Sequence, residues 1–260
     1  FMFNTLSFFM VYLLFIDCLD TIRIHHLIFS NLPSHTQNSI IALINKNLAL
    51  LGGKPLVAWP IEVASEVPEI DEIIVSTDDK NIANTAKSYN VTIQHRPDYL
   101  ATDTALVADA IRYCRSLLSS ENNLPDYMIL LEATSPFRTK EIIQKCLYRL
   151  VQEDLDSIAT FNESEINPHR IWSVENGQPE PFIKGAIPWI SRQNLPKAYQ
   201  LNGVVYAFSL RTFPNEGPNV LFGKMGAEIL DGNSVIDIDT KKDLVIANVL
   251  FETRNSTEII

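Results

Sequence analysis

The chain has 260 residues, 46% apolar and 20% charged, the balance of an ordinary globular protein, long enough for one sizeable core with room for a small appended subdomain. Its formal charge of −10 argues against a nucleic-acid groove, which needs clustered Lys and Arg, yet leaves room for a nucleotide held by a locally basic site or a metal ion. Three scattered cysteines, Cys18, Cys114 and Cys146, form neither a disulfide framework nor a zinc cluster, and fit a reducing, cytoplasmic compartment.

The opening run, Phe1 to Ile16, is almost wholly apolar and aromatic, and shorter than the roughly 20 residues that a spanning helix needs. No basic region precedes it and no small-residue cleavage site follows, as a signal peptide would require. A membrane anchor and a coding start read out of place are the two readings it leaves. Residues 1–41 accordingly read as an anomalous N-terminal segment, and 42–254 as the domain proper.

From Leu48 onward short apolar runs alternate with helical patterns, which predicts an α/β domain. Gly52-Gly53 makes a turn, and Pro55 to Val67 follows a helical period in which Pro60 removes a backbone hydrogen bond. Glu72 to Thr77 predicts a buried strand, Asp79 a cap for a helix over Lys80 to Tyr89, and Val91 to Gln94 a short strand. A helix over Thr104 to Leu118, a central strand over Asp126 to Leu131, a helix from about Thr139 to Val151 and a strand over Ser157 to Phe161 follow. Cys114 and Cys146 fall on the apolar stripes of these helices, where a buried free thiol is expected. Residues 162–202 hold five prolines and two tryptophans without a sustained period, an excursion from the sheet. Gly203 to Phe208 and Ser234 to Ile238 predict two more strands, and Thr240 to Phe251 the last helix.

The strongest local signal is Val235-Ile236-Asp237-Ile238-Asp239-Thr240. On a strand, Asp237 and Asp239 share one face, and two adjacent carboxylates repel unless a cation or proton lies between them. Mg²⁺ with a phosphate ligand suits such a pair at a strand end. The alternative is capping: Thr240 and Asp243 form a Thr-x-x-Asp box at the start of the last helix, which leaves Asp237 unexplained. Ser76 to Asp79 and Glu132 to Pro136 leave apolar strands where a parallel sheet binds ligands, but any strand-to-helix turn uses the same residue types. Arg192, with Tyr199, Asn202 and Tyr206, suits a carboxylate or phosphate, or is a solvated surface arginine. The five histidines show no metal-ligand spacing, and neither G-x-G-x-x-G nor a P-loop is present.

Six stretches, in order, carry a resemblance: KNLALLGGKPLVAW from Lys46, IIVSTDD from Ile73, RPDYLATDTA from Arg96, LLEATSPFR from Leu130, SRQNLPKAYQLNGVVY from Ser191 and VIDIDTKKDL from Val235. Together they resemble the acylneuraminate cytidylyltransferases, which make CMP-activated nine-carbon sugar acids from CTP with release of pyrophosphate. The resemblance implies a Rossmann-like α/β fold with a mixed, mostly parallel sheet, of the nucleotide-diphospho-sugar transferase type. It also implies a homodimer that exchanges the excursion, and Mg²⁺ on Asp237 and Asp239. Lys46 and Arg192 then stand as catalytic residues, and Asn47, Arg96 and Asp103 as nucleotide contacts. Glu132, Thr134, Ser135, Asn202 and Tyr206 contact the sugar, with Arg192 on its carboxylate.

The sequence departs from the family in one loop. An Arg-x-Gly-Ser-Lys run usually precedes the Lys-Asn pair, whereas Gln37-Asn38-Ser39-Ile40-Ile41 stands here, without glycine or a basic residue. The family's first strand reads as missing, or replaced by His26 to Ser30. Leu106-Val107 stands where small hydroxyl residues are usual, and Glu132 where a glutamine is common, which points toward a sugar other than N-acetylneuraminate. Three readings follow from the sequence: a cytidylyltransferase that the lost loop leaves with little or no activity, a family member without catalysis that serves in binding or assembly, anchored by its apolar N-terminus, or a working transferase whose triphosphate contacts come from elsewhere.

Overall fold

The apolar opening run supplies the middle of the main sheet. In the computed structural model, which describes residues 9–14, 46–102, 104–120, 124–231 and 235–257, strand β1 (Phe9–Leu14) pairs in parallel with strands on both its sides. This corrects the expectation of a missing first strand; His26 to Ser30, named as its replacement, lies outside the described residues. The physical reason is burial. An interior strand of a parallel sheet covered by helices reads as an unbroken apolar run, as a short membrane segment does. Among the described residues no helix is long and apolar enough to cross a membrane.

A small hairpin, β2 (Leu50–Leu51) and β3 (Lys54–Pro55), turns at Gly52-Gly53, both with positive φ. A Cβ on Gly52 would strike the Phe251 ring, so this turn is also a packing contact with the last helix. Helix α1 (Ala58–Ser65) starts later than its periodicity predicts, because Lys54–Pro55 belong to the hairpin. Pro60 therefore sits in the first turn, where its missing N–H breaks no helical bond, and the expected loss does not arise.

Strand β4 (Glu72–Thr77) has the predicted ends, and helix α2 (Lys80–Lys87) is capped by Asp79, whose carboxylate accepts from Asn81 N at 2.5 Å and Ile82 N at 3.2 Å. Then come β5 (Thr92–His95), α3 (Val107–Ser120), β6 (Tyr127–Leu130), α4 (Lys140–Gln152) and β7 (Ser157–Glu163). The excursion carries only a two-stranded ribbon, β8 (Trp172–Glu175) with β9 (Gln178–Pro181), and two single-turn helices. Strand β10 (Tyr199–Ser209) returns to the sheet, β11 (Met225–Ile229) forms its edge, and α5 (Lys241–Thr257) ends the described chain.

The main sheet has the order β11-β7-β10-β6-β1-β4-β5. Only β10 runs antiparallel, against β6 and β7, so the sheet is mixed and mostly parallel, as the resemblance implies. Alternate strand residues feed two cores. Val75, Ile129, Ile158 and Ala207 face α1, α2, α4 and α5, while Ile74, Met128, Ala159 and Phe208 face α3. Cys114 and Cys146 are fully buried, and burial pushes both thiols up to about 12.

Two sequence expectations fail at the edges. Val235 to Ile238 joins no ladder; Ile238 N donates to Thr134 O at 2.9 Å, and Ile238 is buried in the core. Strand β11 was not foreseen, since Met-Gly-Ala-Glu-Ile has weak strand propensity. It is held from the side: Glu228 is buried, bonded by Lys145 at 2.7 Å and Arg149 at 3.1 Å, both from α4.

Candidate active site

At the carboxyl end of β6 the chain must leave the sheet, and the turn places polar groups at the sheet's edge. Leaving β6, Glu132, Ala133 and Thr134 turn across that edge toward the single-turn helix Lys46–Leu48. Segment 235–239 closes the other side, fixed by its bond to Thr134 and by the start of α5. There the predicted capping box forms: Asp243 accepts from Thr240 N and Oγ1, both at 2.8 Å, and Asp243 N donates to Thr240 Oγ1 at 3.2 Å. Asp239 N also reaches Asp243, at 3.3 Å. Capping therefore accounts for Thr240 and Asp243 and leaves Asp237 and Asp239 turned to the cavity.

That cavity holds about 260 Å³. Lys46, Asn47, Glu132, Thr134, Asp237 and Asp239 give its polar wall, and Ala105, Val107, Leu130 and Ala133 its apolar one. Lys46 Nζ lies 3.0 Å from Asp239 Oδ1, a solvent-facing pair whose mutual attraction is weak enough to yield to another ligand. Asn47 is buried, and its carbonyl accepts from Val57 N at 2.8 Å, which fixes the turn that carries Lys46.

Negative charge is crowded here. Burial first, then the Asp237 carboxylate, pushes the Glu132 carboxyl up to about 7, against the pull of Arg138 and Lys46. Asp237 has exposed surface, yet the protein around it withdraws enough solvent to raise its carboxyl, with Asp239 adding repulsion and a Thr134 hydrogen bond opposing. The Tyr206 phenol is raised chiefly by burial and further by Glu132 and Asp237, so it stays a hydrogen-bond donor at neutral pH.

The remaining predicted residues divide. Ser135, Asn202 and Tyr206 are buried behind Glu132: Ser135 Oγ donates to Asn202 O at 3.1 Å, and Asn202 Oδ1 accepts from Thr160 Oγ1 at 2.6 Å. Arg96 is almost fully buried and ion-paired with Asp78, outside the residues that line the cavity. Arg192 is exposed on a single-turn helix of the excursion and does not line the cavity either. Asp103 and Gln37 to Ile41 lie outside the described residues. Two residues the motifs contained but gave no role are Arg138 and Gly203, which hold the wall behind Glu132. Thr160, in the same network, lay in no matching stretch, and an isolated threonine in a strand gives no signal.

The model of a family described as cytidylyltransferase matches residues 42–212, well over half of the chain. A pseudaminic acid cytidylyltransferase of Campylobacter jejuni subsp. jejuni serotype O:23/36 is 30% identical over 219 residues, covering 82% of this chain and 91% of its own. A CMP-N,N'-diacetyllegionaminic acid synthase of Legionella pneumophila is 31% identical over 221 residues, covering 81% and 90%. Among solved structures, CMP:2-keto-3-deoxy-manno-octonic acid synthetase complexed with CTP superposes with a TM-score of 0.63 at 14% identity, over 95% of this chain and 100% of that one, a likeness of fold.

Proposed function

The chain belongs to the cytidylyltransferase family, and on that footing we propose that it transfers the cytidylyl group of CTP to a nine-carbon, sialic-type sugar acid. The observation that carries this reading is the convergence of Lys46, Asn47, Glu132, Thr134, Asp237 and Asp239, from three distant stretches, on one cavity at the sheet's carboxyl edge. In the reaction the sugar's anomeric hydroxyl attacks the α-phosphorus. The bond from that phosphorus to pyrophosphate breaks, and the hydroxyl proton passes to solvent.

The residues bind and orient more than they react. Lys46 sets an ammonium against the phosphates, with Asn47 beside it at the ribose. Glu132 and Thr134 meet the sugar hydroxyls, with Ser135 and Tyr206 buried behind Glu132. The cavity's donors fit Mg²⁺: two carboxylates and a hydroxyl are hard oxygen ligands, and their crowded charge calls for a cation. An ion on these two carboxylates would take water and phosphate oxygens as its other ligands. Asp237 and Asp239 would hold it; when bound, it screens phosphate charge and stabilises the leaving pyrophosphate.

A homodimer completes the proposal. The excursion exposes Trp189 at 84%, Phe182 at 69% and Val174 at 66%, apolar surface that a second copy would cover. One subunit's excursion would then bring Arg192 to its partner's cavity, where its forked donors suit the sugar carboxylate. The cytoplasm is the compartment that fits two buried free thiols.

Pyrophosphate release tests the reading, with CTP, Mg²⁺ and, in turn, pseudaminic, legionaminic and N-acetylneuraminic acids. The expected result is release with at least one of the first two, abolished for Asp237→Ala with Asp239→Ala. Turnover of N-acetylneuraminate alone would contradict the preference drawn from Glu132, and no release with any of them would contradict transfer.

A further inference from the structure

The wall behind Glu132 is made by β10 at the point where its pairing with β7 slips, between Leu201 and Tyr206. At this irregularity Gly203 takes φ +69°, and a Cβ on it would lie 2.5 Å from Glu132 Oε2 and 3.0 Å from Ser135 Oγ. The Glu132 carboxylate thus lies against backbone that has no side chain to repel it. Arg138 fixes the two halves of this contact to each other. Its Nε donates to Val204 O at 2.8 Å, and its Nη2 to Glu132 O at 2.5 Å and Gly203 O at 3.3 Å. Asn202 braces the same turn, accepting from Val204 N at 3.2 Å as well as from Thr160.

We propose that Gly203, backed by Arg138, is a positioning residue for the Glu132 carboxylate, giving it the space it occupies at the wall of the cavity. The consequence for sugar binding rests on the cytidylyl-transfer reading above. A left-handed φ alone would also favour glycine, but it makes a different demand. If φ is the whole reason, Gly203→Ala costs the same whatever stands at 132. If the carboxylate is the reason, the cost depends on Glu132.

A double-mutant cycle of Gly203→Ala and Glu132→Ala separates the two. In thermal unfolding, Gly203→Ala is expected to lower the melting temperature clearly in the parent chain and much less in the Glu132→Ala background. In steady-state kinetics with pseudaminic acid, Gly203→Ala is expected to raise the KM for the sugar by about tenfold while the KM for CTP moves less than about twofold, and to add nothing further once Glu132 is alanine. Additive melting shifts, or equal rises in the two KM values, would overturn the proposal. A parent chain with no turnover would count against cytidylyl transfer, while the unfolding cycle would still decide the placement of the carboxylate.

Discussion

Arg138 is 5% exposed, and its Nε and Nη2 donate to the carbonyls of Glu132, Gly203 and Val204, while Nη1 is buried without a hydrogen-bond partner among the described residues. Burial lowers its hold on its proton, and the neighbouring Glu132 opposes that. Replacing it by methionine keeps much of the volume but leaves buried carbonyls without donors. Arg138→Met should therefore cost about 3 kcal/mol in urea unfolding, since bonds from a charged donor are worth roughly 1.5–3 kcal/mol and orphaned buried acceptors add to the loss. A change below about 1 kcal/mol would mean that the guanidinium braces nothing. In the sequence this arginine ends a stretch that matched the family, yet nothing local marked it as buried. Its partners on β10 lie some 65 residues away, and only the fold brings them together.

At the scale of elements, what could be read was what local pattern determines. Glu72–Thr77 had correct ends because a β-branched run bounded by acidic residues has one reading, and Asp79 capped the helix it preceded. Strand β1 failed because an interior strand and a truncated membrane segment share one signature, and partner strands decide between them. Val235 to Ile238 failed in the opposite way: its composition suits a strand, but the segment lies over Thr134 rather than beside a neighbour. Asp237 and Asp239 nonetheless both line the cavity, though the segment that carries them is unpaired. The capping box then becomes part of the site. Asp243→Ala should lose about 1 kcal/mol of stability, as helix caps do. Through the lost bond to Asp239 N it should also raise the Mg²⁺ concentration needed for half-maximal activity. Lost stability with unchanged Mg²⁺ dependence would separate the cap from the site.

For the whole molecule, the candidate site is an assembly of chain segments that the sheet order makes neighbours. Residues 46–47, 132–134 and 237–239 meet only because β1 and β6 stand at the centre and α5 returns over their ends. The six motif stretches gave the residues of this meeting, and the resemblance gave their roles; the cavity and the charge crowding around Asp237 required three dimensions. Arg192 stays apart in one chain, which ties its proposed role to a second copy. The most direct measurement is ³¹P NMR of CTP, Mg²⁺ and pseudaminic or legionaminic acid incubated with the purified chain. One new phosphodiester resonance should grow in equal amount with pyrophosphate as CTP declines. Unchanged CTP, or its hydrolysis to CMP or CDP without a sugar phosphodiester, would contradict cytidylyl transfer.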